Sequence, residues 1–158
     1  MGSVHTKEYR NKLEFGCANK RWYTAEELAA LPEGVGLSGG AIGFHITGSF
    51  DKIYPIEKCW LMDNLCNEIR NDIRDYALET GMTFYDIRAQ HGLLRDLMLR
   101  NSNTGEWMLL VQFHYDEEGD DERAKALMQH IAEKFPQITS LFYVDNQKGN
   151  DTFNDLEL

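Results

Sequence analysis

The sequence predicts an α+β fold, an antiparallel or mixed sheet with two main helices on one face. Two patterns carry this prediction. Between Gly92 and Tyr115, two apolar runs flank Asn-Ser-Asn-Thr-Gly, a set of residues that turns prefer, which indicates a β-hairpin. An amphipathic helical stretch lies on each side of that hairpin. From residue 52 the expected order is strand, helix, strand, strand, helix, strand, a ferredoxin-like βαββαβ core preceded by an extra β-hairpin.

The elements before residue 92 follow from local signals. Thr24 and Glu27 have the spacing of a capping box, which predicts a short helix from residue 25 to about 31. Pro55 lacks an amide hydrogen and favours an edge strand. Gly81 ends a strongly amphipathic helix. The full prediction is a strand over 13–20, the short helix, a mobile glycine-rich loop from 32 to 40, strands over 41–47 and 52–57, and a helix from 63 or 64 to 80.

The hairpin and the segments after it complete the predicted core. In the second arm, Trp107 and every second residue after it form one apolar face, which we expect the helices to cover. A second helix over 122–135 has acidic residues at its start and Lys134 at its end, as the helix dipole favours. A strand over 138–145 follows. The last residues, Asp-Leu-Glu-Leu, look like a strand cut in mid-run.

Composition and charge limit the classes of function. The chain has 158 residues and a net charge of −10, which argues against a large phosphate-binding surface, although residues 7–21 are locally basic. No apolar run approaches the roughly 20 residues that span a bilayer, and the N-terminus lacks the apolar stretch of a signal peptide. Three cysteines without paired spacing favour a reducing, cytoplasmic compartment. We expect residues 1–8 to be a flexible tag or linker and 9–158 to be a single domain.

Motifs of common active sites do not occur in the sequence. There is no phosphate loop, dinucleotide fingerprint, His-Glu-x-x-His or Cys-x-x-Cys, and the five histidines are scattered. From the residues alone, this is an α+β module without a visible active site.

Five short runs, in this order and spacing, together resemble one enzyme family. They are residues 9–15 (YRNKLEF), 43–49 (GFHITGS), 56–59 (IEKC), 92–100 (GLLRDLMLR) and 146–150 (NQKGN). They resemble the central domain of S-adenosylmethionine-dependent RNA (uracil-5-)-methyltransferases, similar to those acting on 23S ribosomal RNA.

This resemblance implies that the chain is a fragment of a longer protein, called the parent below. In such enzymes a cysteine of another domain attacks C6 of the flipped uridine, and C5 takes the methyl group from S-adenosylmethionine. The fragment lacks those parts, so it should be inactive alone and hold no cofactor. Its role would be to help position ribosomal or transfer RNA.

Cys59 matches the fourth ligand of the [4Fe–4S] cluster found in iron–sulfur members of the family. Such a cluster is held by four thiolates, so one cysteine does not suffice. We expect the Cys59 thiol to be free and partly exposed where the missing segment would pack. The alternative is a buried structural thiol just before a helix.

The resemblance also suggests RNA-binding residues. Tyr9, Arg10, Asn11 and Lys12 combine groups that bind phosphate with groups that bond or stack bases. The alternative is a solvated start of a strand.

The resemblance implies three further RNA contacts, His45, Arg95 and Arg100. A histidine such as His45, flanked by Phe44 and Ile46, is more often a satisfied strand residue than an RNA contact. Arg95 and Arg100, counted along a regular strand, point to opposite faces, so only one should share a surface with residues 9–12. Arg95 needs either an RNA phosphate or a partner such as Asp86 or Asp96.

A complete small acidic protein-interaction module is the rival hypothesis. A complete protein should have packed ends. An excised domain should instead leave an apolar edge near Phe153, Leu156 and Leu158, through which it could dimerise.

Overall fold

A computed structural model describes residues 6–32 and 38–158, and these residues form one mixed six-stranded sheet with three helices. The predicted class is therefore confirmed. Residues 1–5 and 33–37, which include parts of the predicted flexible tag and glycine-rich loop, lie outside the described residues. The elements are β1 (Lys12–Lys20), α1 (Ala25–Ala30), β2 (Ser38–Ile46), β3 (Ser49–Pro55), α2 (Asn64–Glu79), β4 (Leu94–Asn101), β5 (Trp107–Phe113), α3 (Asp120–Lys134) and β6 (Ile138–Asp145).

The order of elements along the chain agrees with the prediction, but their spatial order differs from a ferredoxin-like core. The strands lie in the order β3-β2-β1-β4-β5-β6. Only β5 and β6, joined through α3, are parallel neighbours; every other neighbouring pair is antiparallel. Two strands separate β3 from β4, whereas a split βαβ unit keeps its strands close and parallel. The reason is that β1 pairs with both β2 and β4, so the extra hairpin forms part of the same sheet.

Local turn chemistry explains some of the element boundaries that differ from the prediction. Gly48 has φ +81°, so β2 and β3 are joined by a tight turn and both strands extend to it, with Ile46 opposite Ser49. Helix α3 begins at Asp120, two residues earlier than predicted. The buried Asp120 carboxylate accepts the amides of Asp116 and Glu117, which fixes the acidic loop as the entrance of the helix.

The main core lies between the sheet and helices α2 and α3, as predicted. The predicted inward face of β5 contributes Trp107, Leu109, Val111 and Phe113 to this core. The buried stripes of α2 and α3 pack against it, so both helices cover the same face.

The second face of the sheet is covered in part by the C-terminal tail, residues 146–158. Phe153 and Leu156 pack on a small cluster of Met98, Leu110 and Val144, while Leu158 is exposed. The expected apolar edge is therefore largely covered by the chain itself, and the tail forms no strand. The alternation of apolar and polar residues did not predict this second packed face, because β4, β5 and β6 carry apolar residues on both faces.

Candidate nucleic-acid interface

The four residues of the predicted RNA-binding run are all exposed, at the start of β1. Their backbone is nevertheless fixed. The Arg10 amide donates to the carbonyl oxygen of Leu61 over 2.8 Å, and the Asn11 carbonyl accepts the Asn101 amide over 3.2 Å. Tyr9 is 60% exposed, so its ring is accessible to a ligand.

Trp60 extends this surface and was not identified from the sequence. Its ring is 50% exposed, and the ammonium groups of Lys7 and Lys58 lie 4.2 and 4.4 Å from its centroid. These are cation–π distances. The Glu8 amide donates to the Trp60 carbonyl over 2.8 Å, so ordered contacts begin before the predicted boundary at residue 9. The sequence signal for this site is one lysine and one tryptophan, Lys58 and Trp60, on either side of Cys59.

A groove of 320 Å³ lies beside the run, where the pairing of β1 with β2 ends at Gly16 and Gly43. It is lined by Arg10, Lys12, Leu13, Glu14, Phe44 and Leu61. The groove therefore combines two cations with apolar walls, next to the exposed ring of Tyr9.

Arg100 is the predicted arginine that joins this surface. It is exposed and lies directly opposite Lys12 in the pairing of β1 with β4. The surface is not purely cationic, because Glu14 pairs with Lys12 over 2.6 Å. We call Lys7, Tyr9, Arg10, Lys12, Lys58, Trp60 and Arg100 the basic–aromatic surface.

Arg95 does not belong to the basic–aromatic surface, which corrects the prediction of an RNA contact. Its side chain is 1% exposed, and Nε donates to Asp151 over 3.0 Å. Nη1 and Nη2 donate to backbone carbonyls at 146, 148 and 150 over 2.6–2.9 Å. The guanidinium also lies over the ring of Tyr85. Arg95 thus anchors the C-terminal tail, and its acidic partner is neither Asp86 nor Asp96.

A β-bulge explains why counting residues along a regular strand gave the wrong face for Arg95. The register of β4 against β5 shifts between Leu94 and Asp96, so an extra residue enters the strand. Arg95 consequently reaches the tail from the same side as Gln112, whose side chain donates to the Asp151 carbonyl.

His45 is exposed but lies apart from the basic–aromatic surface. It lines a separate open groove of 470 Å³ together with Phe50, Ile87 and Asp151. Of the residues with which His45 was grouped, the structure brings only Arg95 near it in the described part of the chain, where both line a small cavity away from the basic–aromatic surface.

Cys59 is buried, 7% exposed, which corrects the expectation of a partly exposed thiol. Its peptide is clamped by the Asn67 side chain, which accepts the Cys59 amide over 2.7 Å and donates to its carbonyl over 3.0 Å. Cys66 lies in the same core cluster, and burial raises the pKa of its thiol to about 12.

The described residues supply too few ligands for a four-thiolate cluster on their own. Cys17 is buried on β1, where desolvation raises the pKa of its thiol well above its usual range. One group of three metal-ligand types occurs in the described part of the chain, the exposed residues His91, Asp116 and Glu117, and it includes no cysteine. Cys59 could contribute one ligand, with the others from outside this chain. Unpartnered N–H groups of the buried Arg70 nearby suit a negatively charged centre.

Among residues 6–32 and 38–158, no helix combines the length and the apolar composition needed to cross a membrane.

The fold and this surface define an α+β domain with a candidate nucleic-acid interface. No family model matches the chain. It is 49% identical to a protein of Bacteroides thetaiotaomicron named as an uncharacterized RNA methyltransferase, over 100% of this chain and 34% of that protein. A protein of Porphyromonas gingivalis with the same name is 44% identical, over 100% and 34% of the two chains. A third, from Chlorobaculum tepidum, is 36% identical over 89% of this chain and 29% of its own length.

A solved structure shares the fold. The tRNA (uracil-54, C5)-methyltransferase of Pyrococcus abyssi, in complex with S-adenosyl-L-homocysteine, matches with a TM-score of 0.63 and 18% identity. The match covers 99% of this chain and 32% of that one. The chain is therefore similar, over its whole length, to one segment of proteins named as uncharacterized RNA methyltransferases, and it spans about a third of the length of the relatives it matches. The resemblance to RNA methyltransferases is confirmed.

Proposed function

We propose that this chain is the central, non-catalytic domain of an S-adenosylmethionine-dependent RNA methyltransferase that modifies C5 of uracil in ribosomal or transfer RNA. Its role is to hold RNA on the basic–aromatic surface. The observation that carries the proposal is Trp60, half-exposed, with Lys7 and Lys58 against its ring and Tyr9 and Arg10 exposed close by. Exposed aromatic rings stack bases, and lysine and arginine bind phosphates.

The relatives support the parent enzyme class. They are named RNA methyltransferases, and the uracil-5 specificity is taken from the name of the Pyrococcus abyssi protein, which shares the fold. In the parent, S-adenosylmethionine would be bound outside this chain. A cytoplasmic location and a [4Fe–4S] cluster with Cys59 as one ligand stay predictions.

The rival hypothesis, a complete acidic interaction module, is supported by the packed tail but not by the similarity to the relatives. Phe153 and Leu156 are covered by the chain's own sheet, as expected of a complete protein. That covering also removes most of the surface expected to support a dimer. However, three relatives share this segment as about a third of a methyltransferase, which favours the domain hypothesis.

Binding of a single-stranded RNA oligonucleotide, measured by fluorescence anisotropy over a series of salt concentrations, tests the proposal. Lys7→Ala/Lys58→Ala should weaken binding and reduce the slope of log K against log[salt] by about 1.4, or about 0.7 for each lost phosphate contact. Trp60→Ala should weaken binding by about 1–3 kcal/mol through lost stacking and leave the salt slope unchanged.

The matched control is Lys125→Ala/Lys134→Ala, which removes two exposed lysines of α3. It should leave both the affinity and the slope near those of the unmodified chain. Equal weakening by both double variants, or no measurable binding by the unmodified chain, would contradict an RNA-binding role for this surface.

A further inference from the structure

Arg70 is the largest fully buried side chain among the described residues, with 1% of its surface exposed. It lies on the inner side of α2. Nη2 donates to the Glu57 carbonyl over 3.1 Å and to the Asn71 side chain over 3.2 Å. The guanidinium carbon lies 5.0 Å from the centroid of the Phe15 ring. The side chain is thus fixed between the helix and the sheet.

The charge of Arg70 is not compensated by the described residues. Nε and Nη1 are buried and have no hydrogen-bond partner among them, and no ion pair there involves Arg70. Burial lowers the pKa of the guanidinium. A buried cation without a counter-ion destabilises the folded state, so a fold retains one only when other interactions offset this effect.

Two buried thiols, those of Cys59 and Cys66, lie in the part of the core next to this charge. Cys66 precedes Arg70 by one helical turn, which puts both side chains on the buried side of α2. Both thiols belong to the core cluster that borders Arg70.

The backbone around Cys59 is held unusually firmly. Asn67 clamps both polar groups of the Cys59 peptide, and Asn71 and Arg70 both donate to the Glu57 carbonyl. Three side chains within about one turn of α2 therefore fix the segment 57–59. The amides of Glu8 and Arg10 bond to Trp60 and Leu61, so the segment that enters this domain runs directly alongside it.

We propose that Arg70 is a positioning residue for an iron–sulfur centre in the parent, donating its two free N–H groups to sulfur and compensating the negative charge of the ligands. This inference rests on the proposed function, and in particular on Cys59 as a ligand. Charge and hydrogen bonds to sulfur both set the reduction potential of such a centre. A purely structural Arg70 would hold the Glu57 carbonyl and leave the centre unaffected.

The full-length parent, purified without oxygen, provides the test. The readouts are iron and sulfide content and the reduction potential followed by electron paramagnetic resonance. Arg70→Met should shift the potential to more negative values, because a cation and two donors are lost. Arg70→Lys keeps the charge and should shift it less. Arg74→Met, one turn further along α2, removes an arginine paired with Glu57 and Asp75 and should leave the potential unchanged.

Each alternative outcome is informative. If Arg70→Met moves the potential no more than Arg74→Met does, Arg70 is structural only. If Arg70→Met fails to fold, an unshifted potential in Arg70→Lys together with unchanged iron content overturns the proposal. If the unmodified parent holds no iron, the inference and the cluster prediction fail together, whereas RNA binding by the isolated chain still decides the proposed function separately.

Discussion

At the scale of single residues, Asp96 is a buried carboxyl group whose surroundings disfavour its charged form. It is 8% exposed, and its one hydrogen bond, from Gln112, is long at 3.5 Å. Desolvation, followed by repulsion from Asp151 and Glu14, raises the pKa of Asp96 well above its usual range, and Arg95 only partly opposes this. Asp96 is therefore expected to be protonated in the folded chain well above the pH at which it ionises when unfolded.

Asp96→Asn should stabilise the chain at neutral pH. The folded-state pKa lies above the unfolded value of about 3.9, so the folded state binds more protons and stability falls as pH rises through the folded pKa. An amide at this position has no proton to lose. We expect the variant to gain on the order of 1–2 kcal/mol at pH 8 and little near pH 4, since the isosteric amide resembles the protonated acid.

Urea denaturation followed by circular dichroism at pH 4, 6 and 8 measures this difference. Glu14→Gln, an exposed carboxylate on the same face, is the control and should show a much smaller pH-dependent gain. A variant that is destabilised more at pH 8 than at pH 4 would show that the ionised form is the one the fold requires.

At the scale of elements, α1 is held by its cap rather than by packing. Thr24 accepts the Glu27 amide over 3.0 Å and the Glu27 carboxylate accepts the Thr24 amide over 2.8 Å, while no residue of the helix is buried. This capping box was read correctly from four residues because its signal is local. The bulge at Arg95 was not, since it depends on how β4 meets β5 and on a tail more than 50 residues away.

Thr24→Ala should unfold α1 locally and leave the rest of the chain intact. The cap contributes about 0.5–2 kcal/mol to a helix that has little else to hold it. Hydrogen exchange of the amides over 25–30 should become faster by roughly 2- to 30-fold, with an unchanged midpoint of global unfolding. Thr139→Ala is a useful contrast, because that hydroxyl bonds across to Trp107 and its loss should lower global stability. Loss of global stability in Thr24→Ala would show that α1 supports the core.

At the scale of the whole molecule, the sequence predicted the layers better than the connections between them. The face of the sheet that the helices cover follows from apolar residues at every second position of the strands and at helical spacing in α2 and α3. The sequence predicted this face correctly. The second face depends on the tail, whose mixed polar composition gives no periodic signal, and on the single buried side chain of Arg95. The same limit applies to the candidate RNA interface. The resemblance to a known family identified residues 9–12, whereas Trp60 could be added only once the fold placed it beside them.

Removing residues 151–158 should therefore expose an apolar face. Met98, Leu110 and Val144 would lose the cover of Phe153 and Leu156, and Arg95 would lose its carboxylate partner. We expect a lower urea midpoint, increased binding of a hydrophobic dye, and self-association by light scattering. Removal of Glu157 and Leu158 alone is the control and should have little effect. A truncated chain that stays monomeric and equally stable would mean that the tail packs without supporting the sheet.

The pairing of strands also separates charge along the molecule. Lys12 and Arg100 meet at one end of the sheet, whereas the acidic loop that begins at Asp116 follows the opposite end of β5. Seven residues of strand at about 3.3 Å each place these ends roughly 20 Å apart. A polyanion approaching from most directions would be repelled, and only one orientation would bring it into contact. The net charge of −10 would then act as a filter on encounters, raising the fraction of collisions that arrive correctly aligned.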